Sequence, residues 1–242
     1  MKQGIFTLEQ ARQRGDIWEL RLTGDTSAIT APGQFVNIEL PGKFLRRPIS
    51  VCDWEENRLV LLVKEAGAGT RELVRLPAGT RLDVLTGLGN GFRLPQEPAA
   101  LVGGGIGAAP LYGLAKRMLE QGLRPAVVLG FRSGRDAFYR EEFAALGLEI
   151  RVATEDGSLG TRGFVTDVLA ELPDCRYVLA CGPTAMLKAV HGLPQVTGGQ
   201  FSFEARMGCG FGACVGCTIQ TKKGLRRVCK DGPIFHKEDI VW

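Results

Sequence analysis

Ala99-Ala100-Leu101-Val102-Gly103-Gly104-Gly105-Ile106-Gly107-Ala108-Ala109-Pro110 is the stretch that decides the fold. Four apolar residues lead into a glycine loop, and Leu111, Leu114, Ala115, Met118 and Leu119 follow at helical spacing. A strand–loop–helix unit of this kind is the setting in which a glycine loop binds a nucleotide. Glycines let the main chain approach a pyrophosphate, and the N-terminus of the following helix favours its charge. The loop is not the G-x-G-x-x-G of dinucleotide-binding Rossmann folds, and a tight strand–helix turn also uses glycine.

Working outward, the rhythm continues downstream. Apolar runs at 126–129, 148–152 and 177–180 alternate with helical stretches, one marked by Val165, Val168, Leu169 and Leu172. Strand–helix alternation of this length predicts a parallel sheet covered on both faces. Upstream the pattern is all-β. Residues 34–40 alternate Val36, Ile38 and Leu40 against Phe35, Asn37 and Glu39, the period of a half-buried strand. Further runs at 58–64 and 81–85, with turn residues at Ala31-Pro32-Gly33 and Ala78-Gly79, predict a small antiparallel barrel. Residues 91–98 read as the hinge between the halves. Val196-Thr197-Gly198-Gly199 reads as a flexible connection to a tail rich in glycine and cysteine. The expected organisation is mixed: a β-barrel domain over 1–97, an α/β nucleotide-binding domain over 98–197 and a cysteine module over 198–242.

The 242 residues leave room for two compact domains and a small appendage, and 45% hydrophobic with 23% charged residues is ordinary globular composition. A net charge of +4, with no run of Lys or Arg gathering it into a stripe, argues against nucleic acid as a partner. The opening MKQGIFTLEQ lacks the apolar core of a signal peptide, and no segment reads as a membrane span, so a cytoplasmic location is expected.

The seven cysteines suit no disulfide framework, being odd in number and expected to stay reduced. Cys52, Cys175 and Cys181 are scattered, whereas Cys209, Cys214, Cys217 and Cys229 crowd together. The spacing Cys209-x4-Cys214-x2-Cys217-x11-Cys229 begins with the C-x4-C-x2-C of plant-type [2Fe–2S] sites. Gly208, Gly210, Gly212 and Gly216 allow a loop to wrap a cluster with its amides turned inward. Four thiolates also suit a structural zinc, although zinc ligands usually come as two short knuckles. Only His191 and His236 are present, so imidazole chemistry is poorly supplied.

In the barrel half, Arg46-Arg47-Pro48-Ile49-Ser50 follows the first clear strand. Arg47 can offer a bidentate fork to a pyrophosphate and Ser50 a hydroxyl, while Pro48 holds the preceding residue extended. Gly67-Ala68-Gly69-Thr70 could present amides to the same phosphates. A solvated basic turn is the simpler reading of the Arg47-Pro48-Ile49-Ser50 segment alone.

Together, Arg47-Pro48-Ile49-Ser50, Gly69-Thr70, the Gly103–Pro110 loop and Cys181-Gly182-Pro183 resemble the ferredoxin reductase superfamily. The cysteine tail in the frame Glu204-Ala205-Arg206-Met207-Gly208-Cys209-Gly210 resembles the electron-transfer subunits of dihydroorotate dehydrogenase type B. The resemblance covers essentially the whole chain and implies three cofactors. FAD would be held by Arg47, Pro48, Ile49, Ser50, Leu62, Val63, Lys64, Gly69 and Thr70. NAD would lie against Gly103, Gly104, Gly105, Gly107, Cys181, Gly182 and Pro183. A [2Fe–2S] cluster would take Cys209, Cys214, Cys217 and Cys229 as ligands. Relatives that use NADP place 2′-phosphate ligands where Arg132, Ser133 and Arg135 stand, and Thr154-Glu155-Asp156-Gly157 ends a strand bordering the same region. Gly208 and Gly87 depart from the alanine and proline common in the family, and neither supplies a ligand side chain.

Hydride chemistry moves two electrons and a cluster accepts one, so the order NAD–FAD–[2Fe–2S] follows from the parts. No residues remain for a substrate-oxidising (β/α)8 domain, which takes about 250. The resemblance therefore implies a partner, the FMN-containing catalytic subunit that oxidises dihydroorotate in pyrimidine biosynthesis, in a heterotetramer of two of each. The alternatives are a flavin/iron–sulfur reductase subunit of a hydrogenase or of a ferredoxin:NAD(P) oxidoreductase complex, and, in another class, a redox-inert binding module stabilised by zinc.

Overall fold

The computed structural model describes residues 1–172 and 174–242. The chain begins with β1 (Lys2–Arg14), β2 (Ile17–Thr23), β3 (Phe35–Ile38), β4 (Arg47–Glu55), β5 (Arg58–Lys64), a short helix α1 (Ala68–Leu73) and β6 (Arg81–Leu88). The six strands close into an antiparallel barrel in the order β1-β2-β5-β4-β3-β6. Closure leaves no unpaired edge, and alternate residues such as Leu82 and Val84 of β6 fill the interior with Phe6, Leu20, Val36 and Leu61.

The α/β half contains β7 (Ala99–Gly104), α2 (Ala108–Glu120), β8 (Ala126–Phe131), α3 (Arg140–Ala145), β9 (Ile150–Thr154), β10 (Thr161–Arg162), α4 (Val165–Ala170), β11 (Tyr177–Cys181), α5 (Thr184–His191) and β12 (Gly198–Ser202). After it come β13 (Thr218–Thr221), β14 (Gly224–Arg227), α6 (Val228–Asp231) and β15 (Ile234–His236). Seven strands form one sheet, ordered β10-β9-β8-β7-β11-β12-β15, parallel as far as β12. Every residue of β7 is buried, as a central strand covered on both faces requires. Leu101 faces α2, whose Leu111, Leu114 and Met118 are buried, while Val102 faces α4 and α5. Burial of each such side chain contributes roughly 1.5–3 kcal/mol. Among the described residues, no helix is long and apolar enough to cross a membrane.

Three details differ from expectation. Residues 198 and 199 are not a flexible connection, because they open β12 and pair with Tyr177 and Val178 of β11. A Cβ on Gly198 would lie 2.9 Å from the Tyr177 ring, so glycine here serves close packing. The cysteine tail also returns to the sheet, since β15 pairs antiparallel with β12. Finally, β3 is buried on both faces rather than one. Val36 and Ile38 point into the barrel, while Phe35 and Asn37 lie outside it and are covered by the C-terminal module.

The two halves share apolar core: Ile17, Cys52 and Leu62 of the barrel pack in the same cluster as Leu111 and Leu114 of α2. The segment expected as a hinge is tied down. Gln200 exchanges hydrogen bonds with the Arg93 main chain (2.8 and 2.7 Å), and the Phe92 amide donates to the Pro32 carbonyl at 2.7 Å. Helix α2 lies against β4, with Lys116 paired to Asp53 at 2.6 Å and the Arg117 guanidinium 4.7 Å over the Trp54 ring. That approach depends on Gly113, where a Cβ would sit 2.6 Å from the Cys52 carbonyl oxygen. Gly113→Val should therefore destabilise the protein by about 1–3 kcal/mol, read as a lower denaturation midpoint with an unchanged slope.

Candidate functional site

The flavin motif opens β4. Arg46 is committed to structure, pairing with Asp83 at 2.7 Å and with Glu39. Arg47 is not: among the described residues its guanidinium meets only the Leu45 and Arg46 carbonyls. It lies across Gly69, where a Cβ would overlap its Nε, so the two sequence-predicted segments meet. Thr70 is occupied locally, its hydroxyl accepting from the Ala66 and Gly67 amides at 2.9 and 3.1 Å, which shapes the entry to α1. Leu62 and Val63 are buried, Leu62 between the two halves and Val63 inside the barrel, and Lys64 pairs with Asp16 at 2.5 Å.

The glycine loop and Cys181-Gly182-Pro183 meet at the carboxyl ends of neighbouring strands β7 and β11, the edge where open α/β sheets gather ligands. Most of these glycines serve contact between the two loops. A Cβ on Gly104 would overlap Met186, one on Gly107 would overlap the Cys181 carbonyl, and Gly103 approaches Ala108 and Leu129. Gly105 differs: its φ is +52° and nothing lies within 4 Å of its would-be Cβ, so it faces open space just before α2. Burial, with some help from Glu204, pushes the Cys181 thiol up to about 12, so it stays protonated at neutral pH. Arg132 and Arg135 are exposed after β8, while Thr154 is buried and hydrogen-bonded to Leu159.

The four tail cysteines fall into two pairs. Cys209 Sγ accepts from the Ala213 and Cys214 amides at 3.2 and 3.4 Å, and Cys214 Sγ accepts from the Cys209 amide at 3.4 Å. Cys217 Sγ accepts from the Cys229 amide at 3.4 Å. Burial opposes ionisation of Cys209, yet the amides of Cys214, Phe211 and Ala213 outweigh it and lower the thiol to about 6, favouring the thiolate that ligates metal. Cys229 is pushed up to about 12 by burial and by the neighbouring thiols of Cys217 and Cys209. Two pairs suit a two-iron cluster, in which each iron takes two thiolates, better than one zinc centred among four. Of the four loop glycines, Gly210 and Gly212 have φ of +79° and +93°, and Val215 is held at +50°, a conformation rare for a β-branched residue. Gly208 and Gly216 lack positive φ and instead approach Cys214 Sγ.

One site residue escaped sequence reasoning. Asn37, on the outer face of β3, donates from Nδ2 to the Cys209 carbonyl at 3.0 Å. A polar residue alternating with Val36 and Ile38 looks solvent-facing in sequence, and only the folded-back tail shows what covers it.

A flavin-type barrel, a nucleotide-binding parallel sheet and a four-cysteine loop define the class of flavin/iron–sulfur reductases. The iron–sulfur cluster binding domain of dihydroorotate dehydrogenase B matches residues 204–241, and an oxidoreductase NAD-binding domain matches residues 101–192. The electron transfer subunit of dihydroorotate dehydrogenase B (NAD(+)) from Listeria monocytogenes serotype 4a is 41% identical over 96% of both chains. The subunit of that name from Shouchella clausii is 41% identical over 99% of this chain and 98% of its own. Among solved structures, one described for NADH-dependent reduced ferredoxin–NADP oxidoreductase and flavin-based electron bifurcation superposes with a TM-score of 0.89. It is 31% identical and covers 98% of this chain and 89% of its own. The chain belongs to the family of dihydroorotate dehydrogenase B electron transfer subunits.

Because Arg47 rests on Gly69, Gly69→Val should displace its guanidinium, and if Arg47 holds the flavin as the sequence motif implies, FAD binding should weaken with it. The expected result is at least tenfold weaker FAD retention, measured as flavin fluorescence released on dilution, with the far-UV spectrum unchanged.

Proposed function

We propose that this chain carries electrons between NAD and a dihydroorotate-oxidising partner by way of FAD and a [2Fe–2S] cluster. The observation that carries this reading is the β3–β4 ladder, which sets Pro48 and Ser50 of the flavin motif beside the two β3 residues that the C-terminal module covers. Residues opposite each other in an antiparallel pair share a face, so Ser50 and Pro48 stand beside Phe35 and Asn37.

When bound, FAD supplies the conversion between hydride and single-electron chemistry. The chain's own residues bind and orient. Arg47, with no carboxylate partner among the described residues, is the cation available to a pyrophosphate, while Ile49, Pro48 and Ser50 line the strand beside it. The segment Leu62-Val63-Lys64 contributes main chain rather than side chains, since Leu62 and Val63 are packed in the core and the exposed Lys64 is paired with Asp16. Gly105 and the start of α2 would take the nicotinamide nucleotide's phosphates, with Cys181-Gly182-Pro183 lining the same edge of the sheet. Hydride transfer needs no general base, and the protonated Cys181 offers none. Cys209, Cys214, Cys217 and Cys229 hold the cluster, with Cys217 and Cys229 buried and Cys214 exposed.

Exposed apolar side chains flank the exposed end of the cysteine loop, Phe211 at 44% and Val215 at 59%. Exposed apolar patches mark interaction sites. The FMN-bearing catalytic subunit is the partner assigned here, in an assembly of two of each chain. The likeness to a ferredoxin–NADP oxidoreductase structure supports a second reading, in which the partner belongs to an electron-bifurcating complex.

Co-expression with the dihydroorotate dehydrogenase catalytic subunit of the same genome tests this. The two chains should co-elute and couple dihydroorotate oxidation to NAD reduction. A chain eluting alone and conferring no NAD-linked activity would overturn the reading, and coupling to ferredoxin instead would establish the second. The purified holo-protein should also hold two irons per chain and no zinc, by elemental analysis.

A further inference from the structure

Asn37 is only 1% exposed, and its main chain is clamped between neighbours, opposite Pro48 on β4 and Leu85 on β6. Its Nδ2 donates to the Cys209 carbonyl at 3.0 Å, while its Oδ1 is buried without a partner among the described residues. Gly210 packs so closely on this amide that a Cβ there would overlap Nδ2. An unpaired buried oxygen is unfavourable, and an apolar residue would fill the space better if filling were all that mattered. The amide is explained by what its donor does.

We propose that Asn37 is a positioning residue for electron transfer, which locks the Cys209 end of the cluster loop onto the flavin-binding strand pair. The proposal rests on the electron-relay reading above. In a planar trans peptide the C=O and N–H point in opposite directions. Holding the Cys209 carbonyl toward the barrel therefore turns the Gly210 N–H away from it, into the cysteine loop. Hydrogen bonds to cluster sulfurs tune the potential, so one contact governs both loop position and the electronic environment. Directly opposite residues of a ladder have Cα atoms about 4.5–5.5 Å apart, which keeps Pro48 of the flavin motif next to the residue that holds the loop.

The test uses the FAD- and cluster-loaded chain with two variants: Asn37→Leu, which removes the amide at similar size, and Asn37→Asp, which keeps the shape but replaces the donor with an acceptor. NADH delivers a hydride to the flavin; one electron then passes to the oxidised cluster and the other stays on the flavin. Stopped-flow absorbance separates the two events, and electron paramagnetic resonance of the reduced cluster reports its surroundings. Expected are flavin reduction within twofold of the wild type, cluster reduction at least tenfold slower and altered g-values. Loss of the cluster from both variants, with FAD and flavin reduction retained, would also support the assignment.

Unchanged g-values and an unchanged cluster-reduction rate in a loaded variant would overturn the proposal. So would equal slowing of flavin and cluster reduction, or loss of both cofactors, because the role would then be general packing. A wild-type chain that binds no iron–sulfur cluster would instead sink the electron-relay reading itself.

Discussion

The rest of the molecule depends on the pairing of β3 with β4. At its start β4 carries Arg47-Pro48-Ile49-Ser50, and further along, Cys52 and Asp53 meet Gly113 and Lys116 of α2. Across the ladder, β3 turns Val36 and Ile38 into the barrel and Phe35 and Asn37 toward the cysteine module. One strand pair thus touches the flavin motif, the nucleotide-binding half and the cluster loop. Because both strands lie within a closed barrel, neither can shift register without disrupting the core, and the three sites stay in fixed relation.

Rigidity of this kind suits a relay. Electron transfer needs its carriers held at constant separation, and the parts meet through apolar clusters that span them rather than through a loose linker. Ile17 and Leu62 pack with α2, Phe35 packs near Cys217 and Cys229, and Asn90 binds both sides of Ile234. The C-terminal module is an extension of the nucleotide-binding sheet through β15 and a cover for the barrel through Phe35 and Asn37. Its exposed part lies around Cys214 and Val215.

Much of this was legible in the residues. The strand–loop–helix at Ala99 announced the parallel sheet, and cysteine spacing announced the cluster loop, because both are local patterns with local physical causes. Packing roles of glycine were not legible. Gly104 and Gly107 suggested a loop opened for a pyrophosphate, and their lack of side chains also lets the β7 and β11 loops meet, while Gly103 packs on Ala108 and Leu129 and Gly105 faces open space. Gly198 and Gly199 looked like a linker but lie in a strand, since a sequence cannot show that Tyr177 packs against them. Asn37 looked like a solvent-facing residue for the same reason: what covers it lies 172 positions away.

The sequence by itself determined the order of the parts and their chemistry: a barrel with an arginine motif, a nucleotide-binding layer and four thiols at cluster spacing. These follow from periodicity, turn residues and ligand spacing, which act over a few residues. Only the tertiary structure decided which arginine lacks a carboxylate partner among the described residues, Arg47 rather than Arg46, and that the cysteines stand in two pairs. It also decided that one strand pair unites the flavin motif with the cluster loop. Those outcomes depend on contacts between residues far apart in the chain, and such contacts exist only once the barrel has closed and the tail has folded back over it.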